Sequence, residues 1–167
     1  MGRAHDKAVT TYGRLDILVN NAGISGSSVG DPDAVEGWHR IIAVNQTSVF
    51  LGTKLAAEQM AKTGGGSIVN ISSIMGFVGS TSGHPAYRAS KGAVRIYSKA
   101  AAVRYDPSEV RVNTVHPGYM PPMPLSGHIP VPRCGWAGSL RRRQRCPPQQ
   151  VMSCITELSG SLGSTSP

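Results

Sequence analysis

The chain has 167 residues, 40% of them apolar, and a formal net charge of +8, which suits one domain with a real core and excludes global disorder. No apolar run is long enough to span a bilayer and Met1 to Lys7 form no apolar leader core, so a cytoplasmic location without membrane contact is expected. The three cysteines, Cys134, Cys146 and Cys154, match neither a zinc spacing nor a disulfide framework, so no metal is expected.

In chain order, residues 15–20 read as a compact apolar strand closed by Asn21-Ala22-Gly23. Asp31-Pro32-Asp33 reads as a helix start, followed at helical spacing by Val35, Trp38, Ile41 and Ile42. The pattern resumes through Val49, Phe50, Leu55 and Met60 until Gly64-Gly65-Gly66 stops it. Residues 67–71 form a second buried-type strand ending on Ser72-Ser73. A glycine-rich loop then leads to a helix from about Pro85 to Tyr105, and Asp106-Pro107 ends it. Residues 110–115 are a third strand, closed by His116-Pro117-Gly118. Strand, helix, strand, helix, strand is the order of a parallel α/β sheet with helices on its faces. Active groups in such sheets gather at the carboxyl ends of the strands.

Chemistry is concentrated at Tyr87 and Lys91, one helical turn apart in Tyr87-Arg88-Ala89-Ser90-Lys91. A phenol titrates near pH ~10 and is a poor base at neutral pH, but an ammonium four residues on shares its helix face and favours the phenolate. A serine hydroxyl at the end of the second strand, Ser72 or Ser73, could hold a substrate oxygen. With it the pair makes a proton-transfer site. His84 and His116 lie near the same crevice and read as structural. Asn45-Gln46-Thr47 and Asn70-Ile71-Ser72 fit a glycosylation pattern without the compartment that would use it.

From Thr10 to about Pro121 the chain resembles the short-chain dehydrogenase/reductase family. Tyr12-Gly13-Arg14-Leu15-Asp16 with Asn20-Asn21-Ala22-Gly23 resembles its fourth strand and NNAG motif. Asn45 in Val44-Asn45-Gln46 matches its helix asparagine. The run from Gly66 to Ser73 matches its fifth strand and serine, Tyr87 and Lys91 its YxxxK, and Asn113, Pro117 and Gly118 its sixth strand and PG turn. The resemblance implies a partial Rossmann-type, doubly wound parallel sheet of about three strands. It implies hydride transfer between NAD or NADP and a small alcohol/carbonyl pair, with Asn45, Ser73, Tyr87 and Lys91 as the catalytic set. Tyr87 would exchange a proton with the substrate oxygen, and Ser73, favoured over Ser72 by the family pattern, would polarise it. Lys91 would hold the nicotinamide ribose, and the Asn45 main-chain carbonyl would place a water. Asn20, Ala22, Gly23, Pro117 and Gly118, with Asn45, Tyr87 and Lys91, would line the cofactor. The two long helices imply a homo-oligomer.

The sequence also departs from that family. It contains no TGxxxGxG turn for a cofactor pyrophosphate, and Met1 to Thr11 resembles the end of the helix before the fourth strand, so the first three strands are expected to be missing. The interval from Ser73 to Tyr87 is one residue longer than the commonest family spacing, which suggests an insertion between Gly79 and Pro85. Pro122 stands where a carboxamide-binding threonine is usual. The chain divides into a partial Rossmann-type domain, 1–124, and an irregular tail, 125–167. The tail sets Arg133, Arg141, Arg142, Arg143 and Arg145 against the single acid Glu157, among many prolines. Its composition reads as a disordered tail, a frame-shifted carboxyl end or a genuine extension. Two other functions stay open: an inactive interaction module, and nucleic-acid binding through the arginine cluster.

Overall fold

The computed structural model describes residues 2–31, 33–79, 83–118 and 155–157, with the backbone alone at 2–4 and 155–157. The elements in order are α1 (Gly2–Tyr12), β1 (Ile17–Asn20), α2 (Val35–Ile42), a π-helical turn (Ala43–Thr47), α3 (Ser48–Met60), β2 (Gly66–Ile71), α4 (Pro85–Tyr105), β3 (Val110–His116) and β4 (Ile155–Glu157). They build one sheet in the order β1-β2-β3-β4. The first three strands run parallel, in a register that sets Leu18, Ile68 and Val112 abreast, and likewise Asn20, Asn70 and Thr114.

The core follows from two periodicities. Along β3 the side chains of Val110, Val112, Thr114 and His116 are buried, every second residue, as a strand with one covered face requires. On α3 the buried set is Val49, Gly52, Thr53, Ala56, Ala57 and Met60, the three-and-four spacing of a helical stripe. Ala56, Ala57, Ala101 and Ala102 are small enough to bring α3 and α4 down together on Ile68, Val110 and Val112. Gly65 makes the return into β2 possible. It holds φ +100°, and a Cβ there would strike the Glu109 carbonyl oxygen.

Both helices that pack on the sheet, α3 and α4, lie on the face of Leu18, Ile68 and Val112. The second helical layer of a doubly wound sheet is not among the described residues. Ile17 and Val19, on the opposite face of β1, are 66% and 53% exposed. Among the described residues strand β1 pairs only with β2 and is an edge of the sheet.

Some expectations are corrected. Residues 155–157, the described part of the tail, form β4, which the sequence did not suggest, antiparallel to β3 with Thr114 opposite Glu157 and His116 opposite Ile155. Ile155 and Thr156 are β-branched and suit an added strand, but three residues are too few to show a period of two. The helix expected from Asp31-Pro32-Asp33 starts later, at Val35, because the Asp31 carboxylate accepts the Asp33 N–H at 2.9 Å and closes a turn first. The expected apolar stripe on α2 is rotated: Gly37 and Ile41 are buried, while Val35 and Trp38 are exposed, since α2 packs against α4 rather than on the sheet. The readings of Cys134, Cys146, Cys154, Pro122 and the arginines from Arg133 to Arg145 fall outside the described residues, as does part of the interval from Gly79 to Pro85. Among the described residues no helix is long and apolar enough to cross a membrane, and no group of three His, Cys, Asp or Glu is placed to hold a metal.

Candidate active site

At the carboxyl ends of the strands the core changes from apolar to polar. Asn20 donates to Asn70 Oδ1 at 2.8 Å and to Thr53 Oγ1 at 3.3 Å, and Asn70 donates to Ser98 Oγ at 2.8 Å. These carboxamides are satisfied within the α3–α4 layer, as buried polar groups must be. The Asn20 side chain is therefore engaged by Asn70 and Thr53 under the crevice. Asn70, Thr53 and Ser98 were not singled out for this role. The one signal was an asparagine near the end of each of two strands, which their register brings abreast.

Beyond Asn20 the chain leaves β1 as Asn21, Ala22 and Gly23, all exposed. The Asn45 side chain, fully buried, holds the next residue in both directions. Its Oδ1 accepts the Ile24 N–H at 2.8 Å, and its Nδ2 donates to the Ile24 carbonyl at 2.9 Å and to Ser90 Oγ at 3.2 Å. Asn45 lies in the π-helical turn, where the Ser48 N–H reaches back to the Ala43 carbonyl and the Ser48 hydroxyl takes up the Val44 carbonyl. Such one-turn widenings recur at functional sites. Nothing in the sequence marked this one beyond the weak helix formers Asn45, Gln46 and Thr47.

The other wall is α4. Its start is fixed by Pro85 at the first turn and by His84, whose Nδ1 accepts the Ala86 N–H at 3.1 Å. Lys91 fastens the helix to the end of β2 twice. Its Nζ donates to the Ile71 carbonyl at 2.7 Å, and its own carbonyl accepts the Ser72 hydroxyl at 2.7 Å. Ser72 is a buried tie, whereas the Ser73 hydroxyl accepts the Met75 N–H at 3.1 Å and stands at the strand end. Ser90 Oγ donates to the Tyr87 carbonyl at 2.7 Å, so Asn45 and Tyr87 are joined through Ser90.

Lys91 Nζ lies 5.8 Å from the centre of the Tyr87 ring. Lys91 is 4% exposed, and burial alone pulls its ammonium down from 10.5 to about 8. Among the described residues no carboxylate pairs with it, and its one hydrogen bond leaves two N–H donors. A Cβ placed on Gly23 would sit 3.4 Å from both Lys91 Nζ and Asn45 Oδ1. Gly23, Asn45, Lys91 and Tyr87 therefore converge, and the missing side chain at Gly23 leaves a hollow above a desolvated cation. The third strand end joins them through Pro117, whose carbonyl accepts the Ile74 N–H at 3.1 Å. His116 is enclosed, with Nε2 3.0 Å from Thr114 Oγ1 and its ring edge-on to Phe77.

A sequence profile described as short chain dehydrogenase matches residues 1–126. The chain belongs to the short-chain dehydrogenase family. It is 46% identical over 123 residues to a 2,5-dichloro-2,5-cyclohexadiene-1,4-diol dehydrogenase of Sphingobium indicum, covering 74% of this chain and 48% of that one. It is 50% identical over 115 residues to a cyclopentanol dehydrogenase of Comamonas testosteroni, covering 69% and 46%. A crystal structure of a putative short-chain dehydrogenase/reductase from Burkholderia xenovorans superposes with a TM-score of 0.65 at 34% identity, covering 71% of this chain and 47% of that one. The chain thus spans about half the length of the curated relatives it matches. A dinucleotide of the kind used by short-chain dehydrogenases fits the residues present at one end. The hollow at Gly23 and the two donors of Lys91 suit a sugar and its hydroxyls.

Proposed function

We propose that this chain carries the proton-transfer half of an NAD(P)-dependent oxidoreductase that interconverts an alcohol and a ketone or aldehyde. The observation that carries the reading is the convergence of Gly23, Asn45 and Tyr87 on the buried Lys91 ammonium, which has no carboxylate partner among the described residues. When bound, the nicotinamide supplies the hydride chemistry. The chain's own groups do the rest. Lys91, held by the Ile71 carbonyl, directs its free donors at ribose hydroxyls. The Tyr87 phenol gives a proton to, or takes one from, the substrate oxygen, and Ser73 hydrogen-bonds that oxygen. The Asn45 side chain fixes the loop that bears Gly23, and its main-chain carbonyl places a water.

The relatives named for a cyclic diol and for cyclopentanol favour alicyclic secondary alcohols as the substrate class. The exposed apolar residues Phe50 and Leu51 on α3, with Ile96 and Val103 on α4, support a homo-oligomer through these helices. A cavity of about 250 Å³ between Gln46, Thr47, Phe50, Val94 and Tyr97 marks the same face. We place the protein in the cytoplasm.

The test is turnover of a ketone panel that includes cyclopentanone, with Tyr87→Phe beside the parent. Because the sequence has no glycine-rich pyrophosphate turn, turnover by the 167-residue chain should be slow. What there is should fall a further ~10²–10⁴-fold in the variant, the usual worth of a positioned acid/base. Equal rates for parent and variant would show that Tyr87 does not have this role.

A further inference from the structure

One buried titratable side chain beside the site is not used by the chemistry above. His84 is 3% exposed and occupies the N-cap of α4, three residues before Tyr87. Its Nδ1 accepts the Ala86 N–H at 3.1 Å and its carbonyl accepts the Tyr87 N–H at 3.1 Å. An acceptor at Nδ1 places the neutral ring's proton on Nε2, and Nε2 has no hydrogen-bond partner. The ring is therefore held by more than polar bonding. Two glycines pack against this residue. A Cβ on Gly37 of α2 would come within 3.1 Å of Nε2, and a Cβ on Gly26, in the segment that follows Gly23, would overlap His84 Cβ at 2.6 Å. Three elements thus meet at one histidine: α2 at its ring, the segment after β1 at its Cβ and main chain, and the first turn of α4 at its Nδ1.

We propose that His84 is a positioning residue that sets Tyr87 against the Gly23 segment: its ring fills the slot at Gly37, Gly26 packs on its Cβ and main chain, and its Nδ1 caps the turn that carries the phenol. The proposal rests on the reading of Tyr87 as the proton-transfer group. Side chains at N-caps are usually short, because a short oxygen reaches the first-turn amides directly. A histidine does the same here and also spans to α2. Loss of the ring removes both functions, whereas an asparagine restores only the cap.

Residue-resolved NMR of the full chain separates them without requiring turnover. In His84→Ala the Ala86 amide should exchange about five-fold faster or more, as for loss of a cap. The Tyr87 ring signals should shift, while those of Tyr97 and Tyr105, farther along the same helix, stay in place. His84→Asn should return the Ala86 exchange to within about two-fold of the parent. Gly37→Ala, which presses on His84 Nε2 and on Val29, should shift the Tyr87 ring more when His84 is present than in the His84→Ala background, a coupling expected only of residues in contact. It also serves as the probe if His84→Ala does not fold. Unchanged Tyr87 signals in His84→Ala would overturn the proposal. So would equal shifts at all three tyrosines, or an effect of Gly37→Ala independent of His84. Failure of the catalytic reading would instead appear in the ketone assay and leave these signals as described.

Discussion

The two walls of the crevice are built in opposite ways. The α4 wall is bound to the centre of the sheet: Lys91 grips the end of β2 with its ammonium and its carbonyl, and Ser90 ties Tyr87 to Asn45. The β1 wall belongs to an edge strand with one neighbour, and the segment after it hangs on the Asn45 side chain. The groups proposed to transfer the proton thus stand on the wall bound to the sheet centre, and the glycine proposed to face the cofactor stands on the other.

Breaking the hold on the β1 wall should have the largest effect on stability. Asn45→Ala removes three hydrogen bonds, one of them buried and two part-buried, and leaves the N–H and carbonyl of Ile24 without the side chain that holds them. We expect a loss of about 3 kcal/mol in urea unfolding, with local loosening of residues 21–24. If hydrogen exchange at Ile24 is unchanged, the two walls are not joined through Asn45.

The α4 wall has its own signature. The Lys91 ammonium is depressed from 10.5 to about 8 by burial, so between those values the unfolded chain binds more protons than the folded one. Stability should therefore rise with pH from about 8 to about 10.5, by up to about 3 kcal/mol, and be flat in this group below that window. Lys91→Met should lose the rise and be no less stable than the parent at pH 7. A parent whose stability falls across the window would contradict the burial of a cation without a carboxylate.

A smaller effect sharpens the edge. Ile17 and Val19 are exposed on a strand with an open side, which invites pairing with another chain. Ile17→Lys and Val19→Lys should each change stability by no more than ~0.5 kcal/mol. Both should reduce the oligomers that we expect to grow as salt screens the chain's positive charge. Light scattering that shows a 17.6 kDa monomer for the parent at low and high salt would mean that the edge is covered.

Much of this was legible in the sequence because it rests on local signals. The third strand at 110–115 and the helix from Pro85 to Tyr105 were read with nearly their final bounds. What was not legible depends on tertiary partners. The stripe of α2 turned because a histidine 47 residues later fills the slot at Gly37. The Asn20 side chain turned to Asn70 because the two lie opposite each other in register. Strand β4 exists only where β3 offers an edge. Ser72 and Ser73 are adjacent and chemically identical, and it is a tertiary partner, the Lys91 carbonyl, that engages the Ser72 hydroxyl.

The central claim is that Lys91 and Gly23 hold the nicotinamide ribose. Titration of the labelled chain with nicotinamide mononucleotide, alongside intact NAD⁺, tests it most directly. The account predicts millimolar binding of both, with the same chemical-shift changes at Gly23, Ile24, Asn45 and Lys91, abolished by Lys91→Met. Shifts confined to other residues would contradict the assignment of the hollow, and micromolar saturation by NAD⁺ alone would show that the rest of the dinucleotide is held as well.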